Sequence, residues 1–299
     1  MACERQIPGI ATPEEICYNA YCSPPRQFVR YLPGAFDIDG ENMDKQWILV
    51  FDSGLGGISV LRELMAVLPH EQFLYVGDSR NAPYGGRSTQ EVRQLTLASV
   101  EKFMADRPVK AVVVACNTAT AAAIDTLRAA YPERIIVGME PAVKLAADRH
   151  PGGRIIVMAT QVTLREAKFC ALLDRFSGEQ RIVPLPCPGL VEFIEAGRLH
   201  DPALNRHLQD LLSPALAGGA DAIVLGCTHF PFLKPMIRAL AGPEVDILDG
   251  GHGTAMQTLH RLAEKQLLCS SGQGTVELHN SLGTPEILRL SAALLHGET

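Results

Sequence analysis

The chain has 299 residues, of which 47% are hydrophobic and 20% charged, with a formal net charge of -6. This composition is ordinary for a globular protein with one large or two medium domains. The acidic balance offers no basic footprint for nucleic acid, and no apolar run approaches the ~20 residues of a membrane span. The start of the chain lacks a secretory-signal pattern, so we expect a cytoplasmic protein whose 8 cysteines stay reduced.

The first 44 residues differ in composition from the rest of the chain. They are rich in Pro and Gly, lack apolar periodicity and hold three of the cysteines. We interpret residues 1–44 as an N-terminal extension that either packs on a domain or stays flexible.

From Trp47 onward, apolar runs alternate with amphipathic stretches. The first series predicts the strands WILVF, QFLYVGD and KAVVVACN and the helices ISVLRELMAVLP, TQEVRQLTLASVEKFMAD and TATAAAIDTLRAAYP. The second series predicts the strands RIIVMAT, RIVPLPC and DAIVLGCT and the helices TLREAKFCALLDRF, ALNRHLQDLLSPALAGG and FLKPMIRALAG. Continuous apolar strands between helices favour parallel sheets that are covered on both faces. The tail, with TAMQTLHRLAEKQL and TPEILRLSAALLHG, is predicted to be helical.

The two series match strand by strand. WILVFD aligns with RIIVMAT, FLYVGD with RIVPLP, and VVVACNT with IVLGCTH, at offsets of roughly 108 to 111 positions, which indicates an internal repeat. The pattern therefore predicts an α/β fold of two pseudo-equivalent doubly wound, flavodoxin-like parallel-sheet domains, with the active site in the cleft between them. We place the first domain at 45–139, completed by 250–299, and the second at 140–249.

Polar motifs follow several of these strands, where open parallel sheets bind ligands. FDSGLGG places Asp52 and Ser53 before a glycine-rich turn, but it lacks the spacing of a dinucleotide or P-loop motif. Taken alone, Asp52 and Ser53 are typical of a helix cap. The loop GDSRNAPYGGRS is typical of a surface turn, although its PYGG segment also offers backbone amides to a ligand.

Cys116 and Cys227 end strand-like runs, whereas the other cysteines are scattered. A metal site needs three or four ligands, and Cys227 with His229 supplies at most two. A Cys–His hydrolase leaves Cys116 without a role, and each cysteine alone is typical of a small core residue. If the two domains face each other, the two thiols flank a small substrate from opposite sides, which suits inversion at a carbon. Asp52 and His229 are then candidates to assist Cys116 and Cys227 with proton transfer.

Six motifs at these positions carry a family resemblance: FDSGLGGISVL, PYG, ACNTATA, ATQVT, LVEFIEAG and LGCTHFP, in this order between Ile48 and Gly250. With them the sequence resembles the glutamate racemases of the cofactor-independent aspartate/glutamate racemase superfamily. The resemblance implies interconversion of L- and D-glutamate by two thiols, Cys227 acting on the L-enantiomer and Cys116 on the D-enantiomer. It implies that the reaction needs neither pyridoxal phosphate nor a metal. It also implies that the D-glutamate serves bacterial peptidoglycan synthesis.

The resemblance also implies which residues act. The catalytic set is Cys116, Cys227, Asp52, His229 and Glu195, while Glu192 does not match the family's acidic position. The residues expected to bind substrate are Asp52, Ser53, Pro83, Tyr84, Gly85, Asn117, Thr118, Thr160, Thr163, Thr228 and His229.

Other features of the family leave alternatives open. The extension resembles one found in members that use UDP-N-acetylmuramoyl-L-alanine as an activator, and both monomers and homodimers occur. The nearest alternative function is an aspartate racemase of the same superfamily. An alternative of another class is a binding or regulatory protein, since some members are reported to inhibit DNA gyrase; neither a membrane nor direct nucleic-acid binding is expected.

Overall fold

Two parallel β-sheets form the framework of the computed structural model, which describes residues 29–30, 46–165, 170–171, 176 and 181–298. The strands of the first sheet, in chain order, are β1 (Val29–Arg30), β2 (Trp47–Asp52), β3 (Gln72–Gly77), β4 (Val109–Val114), β5 (Ile135–Gly138) and β10 (Thr275–Asn280). The strands of the second sheet are β6 (Arg154–Ala159), β7 (Arg181–Pro186), β8 (Ala222–Leu225) and β9 (Asp246–Asp249).

Helices connect these strands. In chain order they are α1 (Ile58–Val67), α2 (Thr89–Asp106), α3 (Asn117–Ala130), α4 (Val143–Arg149), α5 (Gln161–Arg165), α6 (Leu190–Glu195), α7 (Pro202–Leu216), α8 (Lys234–Ala241), α9 (Gly251–Glu264) and α10 (Pro285–His296). Short 3₁₀ turns cover Tyr84–Gly86 and Phe230–Leu233. Within the described part of the chain, every helix is too short or too polar to cross a bilayer.

The strand orders of the two sheets reveal the repeat. The first sheet runs β1-β10-β3-β2-β4-β5 and the second β7-β6-β8-β9, with parallel pairing throughout. Without β1 and β10, the two orders are equivalent: β3 matches β7, β2 matches β6, and β4 matches β8. These are the pairs that the sequence predicted. The two pseudo-equivalent, doubly wound units, with the strand order of flavodoxin-like sheets, are therefore confirmed.

Besides β1 in the extension, three described strands were not predicted. β5 and β9 have only four residues each, and β10 lies in a tail that was expected to be helical. β10 pairs with β3 along its whole length, so the tail adds a strand to the first sheet, flanked by the expected helices α9 and α10. The domain limits, 45–139 completed by 250–299 and 140–249, stay a prediction.

The N-terminal extension contributes one described element. Val29 and Arg30 form β1, which pairs with β10 at the edge of the first sheet. The rest of residues 1–44 lies outside the described residues. The prediction that the extension binds an activator falls on these residues and stays a prediction.

The central strands are apolar because helices cover both faces of each sheet. In β2, Ile48 to Phe51 are fully buried, and in β8 the whole run Ala222–Leu225 is buried. The edge strand β7 contains Pro184 and Pro186, which an edge tolerates because a proline cannot donate to a neighbouring strand. The apolar runs stop at the carboxyl ends of the strands, and the polar motifs begin there.

Candidate active site

The predicted site residues lie at the carboxyl ends of β2, β4, β6 and β8, in the loops after β3 and β8, and in α6. Hydrogen bonds join residues of the first unit to residues of the second, among them those of Leu55 with Glu195, Thr118 with Thr163, and Thr228 with Asp52. The two sets of strand ends therefore face each other across one cleft, as the sequence predicted.

Asp52 is the last residue of β2 and is completely buried. Its Oδ1 accepts a hydrogen bond from the Gly54 amide at 2.9 Å, and its Oδ2 accepts one from the Thr228 hydroxyl of the other unit at 3.0 Å. Burial raises the pKa of the carboxyl, and the positive charge of His229 opposes this only in part. The helix-cap interpretation is wrong, because α1 begins at Ile58 and its N-cap residue is Gly57, with no hydrogen bond from a capping side chain.

Cys116 follows β4 and caps α3, where its sulfur accepts a hydrogen bond from the Ala119 amide at 3.4 Å. The thiol donates to the Ser53 hydroxyl, also at 3.4 Å. Burial, the negative charge of Asp52 and the nearby Cys227 together raise the pKa of the Cys116 thiol to about 12. Cys116 is thus a thiol at neutral pH.

Cys227 lies in different surroundings. Its sulfur is 3.7 Å from Nδ1 of His229, and Nε2 of the same ring is 2.6 Å from Oε1 of Glu195. Burial alone lowers the pKa of His229, but the hydrogen bonds and charges of Cys227 and Glu195 outweigh it and hold the pKa well above its usual value. The imidazole therefore connects Cys227 to a carboxylate.

The Glu195 carboxylate lies inside the glycine-rich turn of the opposite unit. Its Oε1 accepts a hydrogen bond from the Leu55 amide at 2.6 Å, and a Cβ on Gly54 would lie only 2.0 Å from this oxygen. Its Oε2 accepts a hydrogen bond from the Ser79 hydroxyl at 2.7 Å. Burial raises the pKa of Glu195, but His229 and these donors lower it to a net value below the ordinary one. The turn thus offers its amides to a protein carboxylate.

Three predicted threonines form a cluster between the units. The Thr118 hydroxyl lies 3.2 Å from the hydroxyls of both Thr160 and Thr163, which are 2.9 Å from each other. Gly85 lies against this cluster, since a Cβ there would approach the Thr160 Cβ to 2.8 Å.

Tyr84 and Asn117 are both buried, but their polar groups differ in partners. The Tyr84 hydroxyl donates to Asp78 at 2.8 Å, so it is engaged within its own loop, which Pro83 precedes. The side-chain amide of Asn117 has no hydrogen-bond partner among the described residues, at either its nitrogen or its oxygen. Because buried amides are almost always paired, this one points to a ligand.

Sequence reasoning missed several residues here. Cys187 directly follows β7 and is buried, so Cys116 and Cys227 are not the only cysteines that end strands, contrary to our interpretation. The sequence could have revealed Cys187, because it is the last residue of the predicted strand RIVPLPC. Ser79 lay in a loop that the sequence singled out, whereas Asn280 follows from no local pattern. Both are linked to Glu195, because Asn280 donates to Ser79 at 2.8 Å.

Comparisons with known proteins point to one family. Residues 57–258 match the family model described as Asp/Glu/Hydantoin racemase. The chain is 45% identical over 246 residues to a glutamate racemase of Clostridium perfringens, covering 82% of this chain and 94% of the relative.

Solved structures resemble the chain as well. The glutamate racemase isoform RacE1 of Bacillus anthracis matches with a TM-score of 0.76 at 31% identity, covering 84% of this chain and 94% of the other. A glutamate racemase of Escherichia coli, in complex with L-glutamate and the activator UDP-MurNAc-Ala, matches with a TM-score of 0.72 at 30% identity, covering 84% and 92%.

Proposed function

This chain belongs to the Asp/Glu/Hydantoin racemase family of isomerases, and from that premise we propose that it interconverts L- and D-glutamate by a two-thiol mechanism without a cofactor. The observation that carries the proposal is the pair of buried thiols, Cys116 and Cys227, at equivalent strand ends of the two units. Cys227 is among the groups that raise the pKa of the Cys116 thiol, which supports a common substrate between the two cysteines.

In the L-to-D direction, Cys227 removes the α-proton of the substrate. Nδ1 of His229, 3.7 Å from the Cys227 sulfur, helps to set the protonation state of this thiol. Cys116, which holds its proton at neutral pH, delivers that proton to the opposite face of the carbanion. In the reverse direction, Cys116 is the base and Asp52 assists it, since burial has raised the pKa of this carboxyl and made it a better proton acceptor. A closed cleft excludes water from the carbanion.

Binding of glutamate uses polar groups around the two thiols. The unpartnered amide of Asn117 is suited to a carboxylate or ammonium group of the substrate. The threonine cluster and the turn at Gly85 lie on the side of the cleft where the two units meet. The remaining proposed contacts are Asp52, Ser53, Pro83, Tyr84, Thr228 and His229.

The names of the relatives favour glutamate over the alternative, aspartate. The proposed product, D-glutamate, serves peptidoglycan synthesis in the cytoplasm. Since the Escherichia coli relative is described with an activator, UDP-N-acetylmuramoyl-L-alanine is a candidate activator here. Monomer and homodimer both stay open.

The test follows racemisation by circular dichroism, with L-glutamate and L-aspartate as substrates, with and without the muramoyl compound, and with deuterium uptake at the α-carbon from D₂O. We expect glutamate to racemise and take up deuterium, whereas a binding protein would show neither. Cys116→Ser and Cys227→Ser should each lower turnover by about 10²–10⁴-fold, the usual contribution of a positioned acid or base.

Cys187→Ser is the matched control, because Cys187 is also buried at a strand end and burial likewise raises its pKa to about 12. It should keep near-normal turnover. Wild-type turnover in either of the first two variants would exclude the two-thiol mechanism.

A further inference from the structure

We propose that Ser79 and Asn280 are positioning residues that hold the Glu195 carboxylate against His229 and thereby keep the imidazole aimed at Cys227. This inference rests on the proposed racemase function. The four side chains form one chain of contacts: Asn280 to Ser79 at 2.8 Å, Ser79 to Glu195 at 2.7 Å, and Glu195 to His229 at 2.6 Å.

A backbone amide at the Asn280 end of this chain of contacts fixes the direction of its hydrogen bonds. The Leu282 backbone amide, which can only donate, lies 3.0 Å from Oδ1 of Asn280. The Asn280 side chain must therefore present its NH₂ group to Ser79, whose oxygen accepts. The one proton of the Ser79 hydroxyl is then left for Oε2 of Glu195.

This arrangement fixes the carboxylate at both oxygens. Oε2 receives the Ser79 proton, while Oε1 receives the Leu55 amide and the His229 ring. Because both oxygens are held, the carboxylate cannot rotate away from the ring, and Nδ1 of His229 stays directed at Cys227. Ser79 lies in the loop after β3 and Asn280 ends β10, both strands of the first sheet, whereas Cys227 and His229 follow β8 of the second. The first unit thus orients the acid–base group of the second.

The expected pH effect has a definite sign. The hydrogen bond from Ser79 helps to lower the pKa of Glu195, against the raising effect of burial. Without it, Glu195 takes up a proton at higher pH, and the acidic limb of the profile of kcat/KM moves to higher pH. The other titratable groups around Glu195 are His229, Asp52 and Tyr75, and all of them remain unchanged in the variants.

The experiment compares Ser79→Ala, Ser79→Thr and Asn280→Asp with the wild-type enzyme. Ser79→Ala should lower kcat by about tenfold without a comparable change in KM, because misplacing a catalytic group costs rate rather than binding. Ser79→Thr, which keeps the hydroxyl, should restore kcat. Asn280→Asp keeps the acceptor for Leu282 but replaces the NH₂ donor by an oxygen that competes for the Ser79 proton, so it should act in the same direction as Ser79→Ala.

Ser281→Ala is the control, since Ser281 accepts a hydrogen bond from the Arg80 amide in the same pair of loops but does not contact Glu195. A carbon-13 NMR titration of the Glu195 carboxyl provides a readout that needs no turnover. The inference is overturned if Ser79→Ala leaves kcat and this titration unchanged, or if Ser281→Ala causes an equal loss. If the titration shifts as expected but the wild-type enzyme does not racemise glutamate, the positioning role stands and the proposed function is wrong.

Discussion

Burial of the Asp52 carboxyl lowers the stability of the folded protein. A fully buried carboxyl keeps only two hydrogen bonds, from Gly54 and Thr228, in place of water, and burial raises its pKa. Between the unfolded and the folded pKa, the folded state binds more protons, so stability falls as the pH rises through this window. Above this window the ionised carboxylate therefore destabilises the protein. Such a residue is retained for its chemistry rather than for stability.

We accordingly expect Asp52→Asn to raise the free energy of unfolding at neutral pH by roughly 0.5–2 kcal/mol, while it lowers turnover. The gain should shrink as the pH falls below the ordinary Asp pKa of about 4, because the wild-type carboxyl then becomes protonated in the unfolded state as well. Urea unfolding at several pH values measures the effect. Glu286→Gln removes a charge from an exposed position and should bring no gain; an equal gain there would assign the effect to net charge instead of burial.

At the scale of elements, the turn between β2 and α1 is built for close approach. A Cβ on Gly54 would lie 2.0 Å from the Glu195 carboxylate, and one on Gly56 would lie 2.4 Å from Nδ1 of His229. Glycine is needed here because the second unit occupies the space that a side chain would fill. The turn resembles a phosphate-binding loop in composition, but its amide at Leu55 binds Glu195.

Gly54→Ala should therefore displace Glu195 and lower kcat by about 100-fold, since a shift of about 1 Å at a catalytic group has this effect. Gly86→Ala is the matched control, because nothing lies within 4 Å of a Cβ at that position and it belongs to another strand-end loop of the same cleft. Steady-state kinetics of the two variants make the comparison. Equal activities would show that space at Gly54 is not what positions Glu195.

The sequence predicted the parts of this architecture that depend on local pattern. Apolar runs indicated β2, β4 and β8, and residues that follow these strands lie near one another where the two units meet. β5 and β9 are too short for a clear pattern, and β10 reveals itself only by pairing with β3. Contacts such as Ser79 with Glu195 or Asn280 with Ser79 join residues 116 and 201 positions apart, so only the packed fold brings them together.

At the scale of the whole molecule, the candidate active site and a buried ion pair that stabilises the fold lie at opposite ends of the first sheet. The site occupies the carboxyl ends of the strands, whereas Lys110 and Glu71 form a buried ion pair of 2.6 Å near the amino ends of β4 and β3. Lys110 also donates to the Leu267 carbonyl, and Glu71 accepts from the Cys269 amide, so the pair fastens the segment before β10 to the sheet.

Lys110→Met should destabilise the protein by about 3–5 kcal/mol, because it leaves the Glu71 carboxylate buried without a partner. The kcat of the folded enzyme should stay unchanged. Adding Glu71→Gln removes the unpaired charge and should recover much of the loss. Chemical denaturation with kinetics on the same samples tests this, and a large drop in kcat without loss of stability would contradict the separation of the two ends.

The unlike neighbours of the two thiols, Asp52 beside Cys116 and the His229–Glu195 pair beside Cys227, carry a thermodynamic constraint. The two mirror-image forms of an amino acid have equal free energy, so their equilibrium constant is one. For a racemase, kcat/KM must then be identical in the two directions, however different the two acid–base groups are. The asymmetry of the site can therefore appear only as parallel changes in kcat and KM: the enantiomer with the higher kcat must also have a KM that is higher by the same factor.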